Sequence, residues 1–144
     1  MLELRIDRSF TSEDINSLYM SKGYSSYEGR LDALYDAAVS SDHIVTAWDG
    51  AKMVGVIRSS GDMEFTQYIA DLIVHPEYKS MGLASNLMSA YIDEVSAVEE
   101  IYLMIDSTSK NSFTKNWLVY KGFESLAETD KKIIYIMRKD INEG

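Results

Sequence analysis

The sequence contains no cysteine. This absence excludes disulfide bonds, thiolate metal sites and a cysteine nucleophile. The two histidines, His43 and His75, stand apart without suitably spaced carboxylates, so no metal site is predicted. No apolar run approaches the roughly 20 residues that cross a bilayer, and the segment from Met1 to Arg5 lacks the apolar core of a signal peptide. We therefore expect a cytoplasmic protein with no membrane partner.

Positive charge is also scarce. Lysine and arginine together number 14 against 23 aspartates and glutamates, which gives a net charge of −9 at pH 7. General nucleic-acid binding requires a basic surface, so no nucleic-acid partner is expected. The acidic balance is compatible with a cationic small substrate, although acidic surfaces more often serve solubility. A polyanionic ligand would have to be held by local geometry and a few lysines.

The length of 144 residues and the hydrophobic fraction of 46% are those of an ordinary globular domain. We find no internal repeat, linker or low-complexity segment in the sequence. The prediction is therefore one domain over residues 1–144.

Hydrophobic periodicity predicts a mixture of strands and helices. In chain order these are a strand at 3–8, a helix that begins at 11–14 and ends before a loop at 22–27, a helix at 31–39, strands at 44–48, 53–58 and 65–74, a helix from 83, a strand at 101–105, a helix at 111–121, and strands at 123–126 and 133–137. The Asp49-Gly50 pair predicts a hairpin turn, and Gly122 is a predicted helix stop. The continuous apolar run at 101–105 predicts a strand buried on both faces beside a parallel neighbour.

The stretch from Ile69 to Ala84 combines an apolar strand, a proline turn, a glycine-bearing loop and the start of a helix. A helix start leaves several backbone N–H groups without intrahelical partners, and the helix dipole adds partial positive charge there. Such a start can hold a phosphate or pyrophosphate. Taken alone, Gly82-Leu83-Ala84 is a weak motif, because a glycine at this place often only eases a turn.

The residues from Val74 to Ala84 read Val-His-Pro-Glu-Tyr-Lys-Ser-Met-Gly-Leu-Ala. This segment resembles the signature of the GCN5-related N-acetyltransferase (GNAT) family, which is Val-x-Pro-x-x-(Gln or Arg)-x-x-Gly-x-(Gly or Ala). Lys79 stands in place of the glutamine or arginine. Val54-Gly55-Val56-Ile57 is similar to the family's third strand, and Asn111 stands seven residues before Leu118, as in its second motif. The order of elements is similar over essentially the whole chain.

The resemblance implies an α/β (α+β) fold. Its centre would be a mixed, mostly antiparallel sheet of about 6–7 strands, flanked by about four helices, with a splayed strand pair at the acetyl-CoA site. It also implies acetyl-CoA as a co-substrate, no metal, and a homodimer as a common assembly.

The resemblance assigns cofactor-binding roles residue by residue. Lys79 would add positive charge near the CoA pyrophosphate, and Asn111 would contact the pantetheine arm. Backbone groups of Leu72, Ile73 and Val74 would pair with the pantetheine amides like an added strand. The pyrophosphate would be cradled by backbone N–H groups of Ser80, Met81, Gly82, Leu83, Ala84 and Ser85.

The implied reaction is direct attack of a neutral amine on the thioester, so a base must take a proton from the amine. Asp71 is the best candidate, because a carboxylate in the middle of an apolar strand is costly to bury without partners and is therefore informative. Its alternative role is a structural carboxylate that pairs with a tyrosine, a lysine or a backbone N–H. The sequence leaves these two roles open.

The general acid is open as well. The family places a tyrosine where this chain has Leu118, and Tyr120 lies two residues further, about 200° around an ideal helix. Tyr120 is therefore the candidate acid only if the helix end is distorted. The alternatives are Tyr24, Tyr27 or Tyr68, or protonation of the thiolate by water.

Two tyrosines of the loop between the first two helices, Tyr24 and Tyr27, lie where the family shapes its acceptor pocket. The predicted function is acetyl transfer from acetyl-CoA to a primary amine of a small molecule or to an exposed amino group. The alternative is a CoA-binding regulatory or interaction module of the same fold with little catalytic activity.

Overall fold

The computed structural model describes residues 2–22, 27, 29–62, 64–107 and 112–139. In chain order, the elements in these ranges are β1 (Leu2–Arg5), α1 (Ser12–Lys22), α2 (Leu31–Val39), β2 (His43–Asp49), β3 (Lys52–Gly61), β4 (Thr66–Val74), a 3-10 helix (Pro76–Met81), α3 (Leu83–Glu94), β5 (Glu100–Asp106), α4 (Ser112–Tyr120), β6 (Glu124–Glu128) and β7 (Lys132–Arg138). The strands are hydrogen-bonded in the order β1-β2-β3-β4-β5-β7-β6. The predicted mixed α/β class with a mostly antiparallel sheet is confirmed.

Residue contacts divide the chain into two compact units. The first comprises residues 1–59 and 70–96, and the second comprises residues 60–69 and 97–144. A single domain over residues 1–144 stays a prediction. In the described parts of the chain, no helix is both long and apolar enough to cross a membrane.

In the first unit, an antiparallel meander forms the sheet. β1 pairs with β2, and β2 pairs with β3 through a turn in which Asp49 faces Lys52. Gly50 has φ +62° in this turn, a conformation that glycine adopts without strain. The hairpin predicted from the Asp-Gly pair is therefore confirmed.

The core of the first unit forms where α1 and α2 pack on the strands. One cluster of this core contains Phe10, Ile15, Leu18, Tyr19, Leu34, Ala38, Ile44, Trp48, Met53, Val56 and Ile73. Helix α1 begins with a reciprocal cap, because Asp14 N donates to Thr11 Oγ1 at 3.1 Å and Thr11 N donates to Asp14 Oδ2 at 2.9 Å. This cap fixes the start of the helix, and the predicted apolar face of α1 is its buried face.

The second unit contains the parallel pairing predicted for β5. Thr66–Tyr68 of β4 pair with Glu100–Tyr102 of β5, and β5 pairs along its other edge with antiparallel β7. The prediction that β5 is buried on both faces is wrong. Ile101 and Leu103 are buried, whereas Met104 is 44% exposed. The side chains of β5 alternate because only one face of the sheet is covered here, as is common where a strand has an antiparallel neighbour.

The ladder between β4 and β5 is short. It ends at Tyr68 of β4, although β4 itself continues to Val74. The part of β4 after Tyr68 includes Leu72, Ile73 and Val74, for which the family resemblance implies pairing with the pantetheine amides.

Candidate functional site

The first residue of the turn after β4, His75, is held by two hydrogen bonds, one of its backbone and one of its side chain. The backbone N–H of His75 donates to the Val54 carbonyl at 2.8 Å, and its Nδ1 accepts from Glu77 N at 3.2 Å. Pro76 then occupies the first position of the 3-10 helix, where the missing N–H of proline costs nothing. His75 therefore has a structural role as a helix cap.

Gly82 connects this 3-10 helix to α3. Its φ is +70°, in the left-handed region that glycine adopts easily, and an added Cβ would meet no described atom within 4 Å. Leu83 anchors the start of α3 in the core with 1% exposure, and Asn86 N donates to the Gly82 carbonyl at 3.1 Å as the first helical hydrogen bond. No side chain of the described residues caps the helix at Gly82. The positive end of the α3 dipole therefore lies at an exposed glycine.

The predicted cofactor residues differ in exposure along this segment. Lys79, Ser80 and Met81 are exposed, whereas Ala84 and Ser85 are half-buried. In β4, Leu72 is half-buried, and Ile73 and Val74 are buried. Because the side chains of Ile73 and Val74 are buried, contact with a cofactor at these two residues would have to use the backbone.

Asp71 lies on β4 in a cluster of polar side chains within the first unit. Its Oδ2 accepts from Tyr19 OH at 2.8 Å, from Tyr27 OH at 3.0 Å and from Arg58 Nε at 2.9 Å. Arg58 Nη2 also lies 2.8 Å from the same oxygen, and the side chains of Arg58 and Asp71 are only 9% and 8% exposed. The carboxylate is therefore held by a buried ion pair and by two phenols.

The phenols of this cluster remain protonated at neutral pH. Burial and then the charge of Asp71 raise the pKa of Tyr27, and the same causes raise the pKa of Tyr19 far above its usual value. Tyr27 OH also accepts from Arg58 Nη2 at 3.3 Å, and Arg58 Nη1 donates to Ser41 Oγ at 3.4 Å. The cluster can orient a polar group that approaches Tyr27, and its formal charge is zero.

The structural role that the sequence allowed for Asp71 is realised in this geometry, with tyrosine partners and an arginine. Protonation of Asp71 would leave the buried guanidinium of Arg58 without its counterion, which is costly. The role of Asp71 as a base stays a prediction, and any test of it must separate proton transfer from the ion pair.

Two predicted site residues, Tyr24 and Asn111, lie outside the described residues. Tyr27, the second tyrosine predicted for the acceptor pocket, donates a hydrogen bond to Asp71. In α4, Leu118 is 1% exposed and Tyr120 is 83% exposed. Tyr120 therefore points away from the core position of Leu118, as the helical spacing indicates, and its role as the acid stays a prediction.

Arg58 and Tyr19 belong to this cluster although the sequence did not indicate them. One signal was available for Arg58, which directly follows the uncharged run from Met53 to Ile57 in the same strand and needs a counterion if buried. Asp71 in the next strand along the chain offers that counterion. Tyr19 gave no such signal, because its helical spacing matches an ordinary core residue.

A groove of about 490 Å³ opens beside His75 in the first unit. Its walls carry charges of both signs, from Glu13, Asp14 and Lys52. Neither Asp71 nor Tyr27 lines this groove, so the polar cluster and the groove are separate features. Among the described residues, no group of three or more potential ligands is arranged to hold a metal ion.

Comparison with known proteins gives a consistent result. The chain matches the family model of the acetyltransferase (GNAT) family over residues 11–123. A solved GNAT-family acetyltransferase from Streptococcus pneumoniae is 29% identical, with 88% of this chain and 89% of that chain covered and a TM-score of 0.74. No curated protein matches the chain significantly.

Two more distant structures show the shared fold. A ribosomal-protein-alanine N-acetyltransferase from Escherichia coli is 15% identical, with 96% of this chain and 94% of that chain covered and a TM-score of 0.77. An N-acetyltransferase from Thermoplasma acidophilum, solved in complex with coenzyme A, is 14% identical, with 96% and 99% covered and a TM-score of 0.70. At these identities the likeness extends to the fold alone.

The ion pair of Arg58 and Asp71 predicts a strongly coupled pair of substitutions. Asp71→Asn and Arg58→Gln should each lower the free energy of unfolding by about 3–5 kcal/mol, because each leaves a buried charge unpaired. The double variant should lose less than the sum of the two by about 1–3 kcal/mol. Urea unfolding measures all three values.

The exposed pair of Lys132 and Asp106 serves as the matched control. Its charged atoms are 2.7 Å apart, close to the 2.8 Å of the buried pair, but the side chains are 53% and 64% exposed. Removal of either partner should change the free energy of unfolding by less than about 1 kcal/mol. Additive losses for Arg58 and Asp71 would contradict their coupling.

Proposed function

The chain belongs to the acetyltransferase (GNAT) family, and from this premise we propose that it transfers the acetyl group of acetyl-CoA to a primary amine. The amine is carried by a small molecule or is an exposed amino group. Acetyl transfer from acetyl-CoA is the activity that the fold suggests, and the class of acceptor is the proposed part.

The observation that carries this proposal is the start of α3. Gly82, in a left-handed conformation and with room for a Cβ, leads into a helix that no described side chain caps at Gly82. Backbone N–H groups from Ser80 to Ser85 would bind the CoA pyrophosphate there, where the helix dipole favours negative charge. Lys79 adds a positive charge to the same segment.

The pantetheine arm would pair with β4 in the manner of an added strand. The parallel ladder with β5 ends at Tyr68, whereas Leu72, Ile73 and Val74 lie further along β4. A chain with amide groups can pair with the backbone of a strand irrespective of its side chains. Asn111, which lies outside the described residues, is proposed to contact the same arm.

The reaction would be direct attack of the amine nitrogen on the thioester carbonyl. The C–N bond forms, the C–S bond breaks, and the amine loses one proton while the thiolate gains one. A backbone N–H of β4 would stabilise the oxyanion. Asp71 is proposed to act on the amine, either as the base or by holding Tyr27 so that the amine is oriented, and Tyr24 is proposed to complete the acceptor pocket.

The second candidate function is a CoA-binding module with little catalytic activity. The observation that favours it is Leu118, a core residue with 1% exposure. It stands at the position where the family has the tyrosine that acts as general acid. Tyr120 is exposed and cannot occupy the same place without a change in the helix. In an active enzyme, water would protonate the thiolate, which is a comparatively good leaving group.

Acetyl-CoA should raise the melting temperature of the protein, because a ligand that binds only the folded state stabilises it by about 2.7 kcal/mol at one hundred times its Kd. Gly82→Glu should abolish this shift through the added bulk and negative charge. Differential scanning fluorimetry measures both effects. The binding proposal fails if saturating acetyl-CoA leaves the melting temperature of the wild type unchanged.

Gly50→Glu is the matched control for this substitution. Gly50 also has a positive φ, of +62°, and open surroundings, so the two variants carry the same backbone strain and the same change of charge. Gly50→Glu should keep the acetyl-CoA shift. Loss of the shift in both variants would mean that general destabilisation, and not the start of α3, accounts for the result.

Turnover distinguishes the enzyme from the binding module. With acetyl-CoA and a panel of small amines, amino acids and peptide N-termini, we expect release of free thiol that depends on the amine. A thiol-reactive dye measures the rate. Binding of acetyl-CoA without turnover on any acceptor would support the module instead.

The two roles proposed for Asp71 predict different effects of Arg58→Gln on turnover. If Asp71 orients the acceptor through the ion pair, Arg58→Gln and Asp71→Asn should lower turnover by a similar factor, about tenfold or more, at all pH values. If Asp71 is the base, Asp71→Asn should lower turnover far more than Arg58→Gln, with the loss smaller at high pH.

We expect the first result, because protonated Asp71 would leave Arg58 unpaired. The pH profile of kcat/KM for the wild type and both variants provides the measurement, with the best amine of the panel as acceptor. A loss confined to Asp71→Asn that recovers at high pH would rule out the orienting role.

A further inference from the structure

One face of the sheet in the second unit carries a regular pattern of side chains. The register of β5 and β7 places Glu100 opposite Arg138, Tyr102 opposite Ile136, Met104 opposite Ile134 and Asp106 opposite Lys132. Alternate residues of a strand lie on the same face of a sheet, and so do directly paired residues. These residues therefore share one face, which we call the β5–β7 face, and all of them belong to the second unit.

The opposite face of the same two strands is covered. The end of α4 lies against it, because a Cβ added at Gly122 would lie 3.3 Å from Met137 Cε, and Met137 pairs with Ile101. The residues of this covered face that are buried are Ile101, Leu103, Ile133 and Tyr135. The β5–β7 face, in contrast, is open to solvent near its centre, where Met104 is 44% exposed.

The charged residues of the β5–β7 face stand at its two ends. At one end Arg138 Nε lies 3.2 Å from Glu100 Oε2, and at the other end Lys132 Nζ lies 2.7 Å from Asp106 Oδ1. Both acids belong to β5 and both bases belong to β7. The face therefore has an acidic column and a basic column, and its formal charge is zero in a chain with a net charge of −9.

Between these ends the face is apolar. Ile136 is buried, Tyr102 and Ile134 are half-buried, and Met104 is exposed. Tyr68 of β4 pairs with Tyr102 in the parallel ladder and is exposed beside it. Antiparallel sheets often have one face in water, but such a face is normally polar. An accessible apolar centre with charged ends is instead typical of a protein–protein interface.

The charge pattern indicates the partner. If a second copy is stacked on the β5–β7 face through a two-fold axis parallel to the strands, β5 of each copy lies over β7 of the other, and acid meets base at both ends. A two-fold axis across the strands would place β5 over β5, with acid against acid and base against base. The face is thus complementary to itself in the first arrangement and repulsive in the second.

We propose that the β5–β7 face is the interface of a symmetric dimer of this chain, with the two-fold axis parallel to the strands and the two sheets packed face to face. Glu100 and Asp106 of each protomer pair with the bases of its partner. A carboxylate has about four acceptor sites, so each acid can keep its base within the chain as well. The dimer is independent of the proposed acetyl transfer.

Charge reversal tests this arrangement. The acidic variant carries Lys132→Glu and Arg138→Glu, and the basic variant carries Glu100→Lys and Asp106→Lys. The wild type should form dimers, whereas each variant alone sets like charges against each other and should dimerise at least about tenfold more weakly. An equal mixture of the two variants should form dimers again, because every acid of one then faces a base of the other. Sedimentation-velocity ultracentrifugation over a dilution series measures the mass and the Kd.

A control variant separates the site of the change from the change of net charge. Arg30→Glu combined with Lys52→Glu alters two exposed residues of the first unit and changes the net charge as the acidic variant does. Its Kd should equal that of the wild type. The reversal variants should fold, since exposed ion pairs of the kind they remove contribute little to stability, and dimers in their mixture are themselves evidence of folding.

The apolar centre is tested without a change to the ion pairs. Met104→Lys places a charge in the middle of the β5–β7 face and should weaken the dimer at least about tenfold. Val119→Lys is the matched control, because Val119 is exposed on α4, whose end lies against the covered face. This variant should dimerise like the wild type.

Three results would each overturn the proposal. The first is a wild type that stays monomeric throughout the dilution series. The second is a dimer whose Kd is unchanged in both reversal variants, which would place the interface elsewhere. The third is a mixture of the two folded reversal variants that stays monomeric. If a reversal variant does not fold, the comparison of Met104→Lys with Val119→Lys decides, and equal Kd values overturn the interface.

Discussion

The buried ion pair of Arg58 and Asp71 is the constraint on which the first unit depends. Each side chain alone would be a charge with less than one tenth of its surface in water, so neither can be buried without the other. Arg58 belongs to β3 and Asp71 to β4, and the same carboxylate accepts from Tyr19 of α1 and from Tyr27. One carboxylate thus joins two strands, a helix and the connection that follows it.

This arrangement bears on the chemistry more than on stability. Buried ion pairs rarely stabilise a fold beyond what apolar side chains would achieve, although breaking one is costly. The pair presents a formally neutral cluster in which a protonated phenol, Tyr27, is held in place. An amine that reaches this cluster meets oriented hydrogen-bonding groups rather than a bare carboxylate. Orientation is therefore a more natural role for Asp71 than proton removal.

The proposed cofactor site at the other end of β4 would work through the backbone. The capped turn at His75 and the left-handed Gly82 place the N–H groups and the dipole of the α3 start without specifying many side chains.

The sequence by itself determined the order and type of the elements, the hairpin at Asp49-Gly50 and the glycine-bearing start of α3, because these depend on local periodicity and on residues with special backbone preferences. It also marked Asp71, since a charge in an apolar strand requires a partner.

Only the tertiary structure decided which residues are the partners of Asp71. Arg58, Tyr19 and Tyr27 lie 13, 52 and 44 residues from Asp71 in the chain. Contacts between such distant residues follow from the packing of the elements, which no local pattern specifies. For the same reason β5, whose residues 101–105 are all apolar, has one exposed face that only its neighbours in the sheet explain.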